Sequence, residues 1–121
     1  MIVGGGSDYT LFQLGHVSVT VGKRLTPSYQ VGISLAVEAI HLVTGDRARD
    51  YGHPAKNHTG TASLWSQISG KTLTAYDVCK MQIGTKLSRD AHSPKRDNLV
   101  DTIGWAMNAV IARAGHDGDL E

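Results

Sequence analysis

Asp97-Asn-Leu-Val-Asp-Thr-Ile-Gly-Trp-Ala-Met-Asn-Ala-Val-Ile-Ala-Arg-Ala114 is the stretch whose periodicity decides the fold. Leu99, Val100, Ile103, Met107, Val110, Ile111 and Ala114 recur at i, i+3, i+4 and i+7, the pattern of an amphipathic helix, and Gly115 closes it. Three further helices are predicted upstream. Thr74 and Asp77 have the spacing of a capping box and open a helix through Val78, Met81, Ile83 and Leu87 to about Arg89. Ala62, Leu64, Trp65 and Ile68 mark another from about His58 to Gly70. Ser34 is a candidate cap for a helix to Val43, with Ile33, Val37 and Ile40 on one side and Gly45 as its stop. Before these, Val17, Val19 and Val21 alternate with Ser18, Thr20 and Gly22, the period of a half-buried strand.

The expected architecture is all-α, a four-helix bundle-like domain preceded by a short β or extended segment. Residues 1–30 form the N-terminal strand or arm, 31–115 the helical domain and 116–121 a frayed tail. A hairpin alone is marginal in water, so the first segment must pack on the helices or pair with another subunit.

Composition narrows the function. The 121 residues are 40% hydrophobic and carry a formal charge of +1 without a long run of either sign, which argues against direct nucleic-acid binding. One cysteine, Cys79, excludes an internal disulfide framework, and the chain has no 18-residue apolar run. It reads as cytoplasmic, with no membrane association. No phosphate-cradling Gly loop, nucleophile elbow or zinc-ligand spacing is present.

Two regions concentrate chemistry. On the last helix Asp97, Asp101, Gly104 and Asn108 fall on one narrow stripe bordering the apolar face. Two carboxylates one turn apart call for a cation or a basic side chain between them, although acids also suit the first turn of any helix. Gly104 in mid-helix costs about 1 kcal/mol relative to Ala, as expected where another group approaches closely or helices pack tightly. If the last two helices form an antiparallel hairpin, Lys86 and Arg89 come near Asp97 and Asp101; both also suit a helix C-terminus.

The second region is Asp46-Arg-Ala-Arg-Asp-Tyr-Gly-His-Pro-Ala-Lys-Asn57, bent by Gly52 and Pro54. Arg47 and Arg49 can fork onto phosphate or carboxylate, Tyr51 offers a flat ring with a polar tip, and Asp50, His53 and Asn57 can bind metal, orient water or hold a sugar hydroxyl. An ordered inter-helix loop of caps and ion pairs would use the same residues. Glu38 and His41 show one copy of the Glu-x-x-His spacing of bundle metal sites.

Val43-Thr-Gly-Asp-Arg-Ala-Arg-Asp-Tyr-Gly-His-Pro54 with Asn57, Leu64-Trp65, Lys86-Leu-Ser-Arg89 and Asp97-Asn-Leu-Val-Asp101-Thr-Ile-Gly104-Trp resembles a family of small phage and prophage proteins of unassigned function. The same residues are similar to the phage nucleotide-modification-associated domain. The last helix is also similar to the second acidic helix of MazG-like all-α nucleoside triphosphate pyrophosphohydrolases. That resemblance implies magnesium held by Asp97 and Asp101, with Lys86 and Arg89 on phosphate and Asp50 and Asp101 serving catalysis. The Glu-Glu-x-x-Glu motif of that family's first acidic helix has no counterpart, and Glu38 is the acid that stands in for it. Three readings follow: a magnesium-dependent nucleotide pyrophosphohydrolase, a non-catalytic nucleotide-binding or sequestering protein, and a helical interaction module. Bundles of this size often complete their sites across a dimer, so a homo-oligomer is expected.

Overall fold

The computed structural model describes residues 1–45 and 52–115. Three antiparallel strands, β1 (Ile2–Gly5), β2 (Thr10–Leu14) and β3 (Val17–Val21), form a meander in that order. Five helical segments follow: α1 (Pro27–Thr44), the single turn α2 (Pro54–Asn57), α3 (Thr59–Ser69), α4 (Ala75–His92) and α5 (Arg96–Ala114). The fold is mostly helical with a small N-terminal sheet. Among the described residues no helix is long and apolar enough to cross a membrane.

The alternation in β3 is borne out: Val17 is buried, Val19 and Val21 are half-buried, and Ser18 and Thr20 face solvent. Phe12 lies opposite Val19 across the β2–β3 register and is fully buried. Phe12, Val17 and Val37 form the core cluster, with Leu14, Leu25, Ile33 and Ile40 packed around it. The sheet is therefore fastened to one face of α1. Burying Phe12 alone contributes roughly 2–3 kcal/mol.

The start of α1 differs from the expected one. Thr26 is the N-cap and Pro27 occupies the first turn, where its missing N–H costs nothing. Ser34 sits inside the helix, its hydroxyl donating to the Gln30 carbonyl four residues back at 2.7 Å, so it caps nothing. The capping box at α4 is present as predicted: the Asp77 N–H donates to Thr74 Oγ1 at 3.2 Å and the Thr74 N–H to Asp77 Oδ2 at 2.8 Å. Gly70 ends α3 in the left-handed region at φ 73, and Gly115 ends α5.

The helices are organised about α5. It packs along α4 as an antiparallel hairpin, along α1, and against α2. α3 packs chiefly on α4, and α1 carries the sheet on its other face. The order sheet, α1, α5, α4 is a series of paired elements, and a ring of four mutually packed helices is not what the contacts describe.

Candidate functional site

Where the C-terminal end of α1 and the short α2 flank α5, they leave a cavity of about 650 Å³. α1 supplies Leu42, Val43 and Thr44; α2 and its ends supply Gly52, His53, Pro54, Asn57 and His58; α5 supplies Val100, Asp101, Gly104, Trp105, Asn108 and Ile111. Leu42, Val43, Pro54, Val100 and Ile111 make the walls apolar. The polar groups are two imidazoles, two carboxamides, one hydroxyl and one carboxylate.

The stripe read from α5 is thus confirmed as a cavity wall at Asp101, Gly104 and Asn108. A Cβ built on Gly104 would meet Val43 Cγ2 at 3.6 Å, an ordinary contact, so the approach is not a tight one. The missing side chain instead adds room to the cavity.

Asp101 has found its basic partner: Lys86 Nζ lies 3.0 Å from Asp101 Oδ2, with side chains only 18% and 21% exposed. The antiparallel α4–α5 hairpin brings them together, as the spacing requires.

The other two proposed metal ligands lie elsewhere. Glu38 forms an ion pair with Arg96, and Asp97 is exposed in the first turn of α5. Among the described residues no three His, Cys, Asp or Glu side chains are grouped about one position. With Asp101 already held by Lys86, the described residues do not fit a magnesium ion. Arg89 is exposed near the end of α4 and does not line the cavity. Arg47, Arg49, Asp50 and Tyr51 lie outside the described residues.

His53 and Asn57 line the cavity from α2. His53 is also the N-cap of that turn: its Nδ1 accepts from the Ala55 N–H at 3.1 Å, which leaves the proton of the neutral ring on Nε2. His58, at the α2–α3 junction, lies 5.2 Å from the Trp105 ring, centroid to centroid, at 50°. Burial holds the His58 pKa below its ordinary value, so the ring is neutral at pH 7. Neither His58 nor Trp105 was singled out by spacing. Their signal was adjacency: each directly follows a predicted site residue, Asn57 and Gly104.

The rim is braced from the sheet. In the β2–β3 turn His16 Nε2 lies 2.7 Å from Thr44 Oγ1, whose own proton goes to the Ile40 carbonyl at 2.6 Å. Nε2 must therefore be the donor. The His16 ring also lies 5.1 Å from His41, and Gly15, at φ 55, passes so close to His41 that a Cβ would sit 2.7 Å from its Nε2. Glu38 and His41, one turn apart, thus serve separate contacts. Cys79 is fully buried, and burial pushes its thiol up to about 11, which removes it as a nucleophile.

Residues 34–113 match the family described as DUF6378, a domain of unknown function. The chain is also similar to the Gene 55 protein of Mycobacterium phage L5, 34% identical over 76 residues, which is 61% of this chain and 49% of that protein. The Gene 55 protein of Mycobacterium phage D29 is 34% identical over 74 residues, 60% of this chain and 49% of that one. The chain spans about half the length of these curated relatives. No solved structure matches it.

Proposed function

We propose that this chain, which belongs to the DUF6378 family, binds a nucleotide by seating its base in the cavity between α1, α2 and α5. The observation that carries this reading is the lining itself. A cavity of about 650 Å³ is in the range of small-molecule sites, and it sets the Trp105 and His58 rings beside two carboxamides, Asn57 and Asn108. Planar rings offer a stacking surface to a base, and a carboxamide presents one acceptor and two donors to a base edge. The resemblance to phage nucleotide-modification-associated and MazG-like domains supports the same ligand class.

The lining is poor in positive charge, because Asp101 is the acid present and its cation, Lys86, is spent on it. The described cavity therefore suits the base and sugar better than a triphosphate. Arg47 and Arg49 remain the sequence-based candidates for phosphate. No hydrolytic step is derived for residues that do not fit magnesium, which favours binding over turnover.

Calorimetric titration with nucleosides and their mono-, di- and triphosphates tests the reading. A Trp65→Phe background lets Trp105 fluorescence report occupancy. Saturable binding with quenching, weakened at least tenfold by Asn108→Leu, is expected; absence of binding across the panel at millimolar ligand rejects the proposal. Chromatography after incubation with magnesium separates the two nucleotide readings, since released pyrophosphate would restore the hydrolase.

A further inference from the structure

We infer that the side of α5 turned away from the cavity is a contact surface for a second copy of this chain. At about 100° per residue, Asp101, Gly104 and Asn108 lie on one side of the helix, and Leu99, Ile103, Ala106 and Val110 run along the nearly opposite side. The second stripe carries no charge over three turns. Leu99 is 42% exposed and Val110 67%, Ala106 is exposed between them, and Ile103 is half-buried.

The distribution of side-chain sizes in α3, α4 and α5 points the same way. Their buried apolar residues are Ala62, Val78, Cys79, Val100 and Ala109, none larger than valine. Their larger apolar residues include Leu64, Ile68, Met81, Leu87 and Leu99, all exposed. A single exposed leucine needs no explanation, but a continuous apolar stripe along one helix marks an interaction surface.

The order of residues in the stripe identifies the occupant. Laid antiparallel on a copy of itself, α5 sets Leu99 opposite Val110 and Ile103 opposite Ala106. Both correspondences share one two-fold axis, midway between residues 104 and 105. The ends then meet large against large, and in the middle isoleucine enters the gap left by alanine. Self-complementarity about one axis is the requirement of an isologous dimer, and a different partner would not impose it. The two cavities stay on the outer sides, so assembly leaves their linings open. A stripe of four side chains is at the small end of interfaces, so a dissociation constant roughly in the micromolar range is expected.

Sedimentation equilibrium of the full chain across micromolar to submillimolar concentrations should pass from 12.9 kDa toward twice that mass. Val110→Glu, at an exposed position, should shift the transition at least tenfold to higher concentration with an unchanged circular dichroism spectrum, whereas Ile68→Glu on α3 should leave it in place. A mixture of Ile103→Cys and Ala106→Cys chains should oxidise to a covalent heterodimer faster than either alone, a readout that survives if Val110→Glu does not fold. A chain that stays monomeric throughout overturns the inference, as does a dimer abolished by Ile68→Glu, or one that tolerates Val110→Glu and fails to cross-link.

Discussion

Lys86 and Asp101 face each other across the α4–α5 hairpin at 3.0 Å, each about four-fifths withdrawn from water, and Asp101 is also part of the cavity wall. A pair so placed is costly to break from one side, because the remaining charge stays desolvated. Lys86→Met is expected to lower stability by about 1–3 kcal/mol in urea unfolding, and Lys86→Met with Asp101→Leu to recover much of that loss. If the single variant unfolds at the wild-type midpoint, the pair contributes nothing and Asp101 is solvated in another way.

Gly104→Ala separates stability from binding. The new methyl meets Val43 at an ordinary distance and removes a mid-helix glycine, so stability should rise by roughly 0.5–1 kcal/mol. The same methyl enters the cavity, so affinity for a nucleotide seated there should fall severalfold. Unchanged affinity in calorimetry would place the ligand elsewhere.

His58 makes stability depend on pH with a definite sign. Its folded pKa is depressed by burial, so the unfolded chain binds the proton more readily. The contribution is present above the ordinary histidine pKa of about 6.5 and is lost as pH falls through the lower folded value. His58→Gln should therefore lose less stability than wild type between about pH 7.5 and pH 5. Equal losses in urea midpoints would contradict this.

Asp77 acts in the same direction for another reason. Its carboxylate accepts from the Thr74 backbone N–H and from the Thr74 hydroxyl, with Lys80 nearby, and its pKa is held below the usual carboxylate value. This stability is complete above the ordinary carboxylate pKa and disappears as pH falls through the folded one. The gap in thermal midpoint between wild type and Asp77→Asn should close below about pH 4. A gap that persists in acid would assign the loss to something other than the charge.

What was legible in the chain was whatever one helix settles by itself. The capping box, the glycine stops and the α5 stripe depend on local spacing, and each lies where it was read. The beginning of α1 was not, because this helix is buried on two sides: Val37 faces the sheet while Ala39 is buried and Val43 approaches Gly104 on α5. Two opposed apolar faces blur a single 3.6-residue stripe, and Ser34 looked like a cap in the gap. Long-range pairs were likewise hidden: nothing local links Glu38 to Arg96 or His16 to Thr44. The cavity was legible in its polar half, through Asp101, Gly104, Asn108, His53 and Asn57, and not in the apolar half that α1 contributes.

The His16 contact with Thr44 has a consequence for how the pocket is inherited and used. Every described lining residue, from Leu42 to Ile111, falls within the family segment 34–113, but the turn that bears His16 comes before it. The recognising surface and its stiffener are thus separable parts of the chain. Two proteins with the same lining can hold the same ligand equally well at equilibrium and still differ in how fast it enters and leaves, according to what each provides in place of this turn.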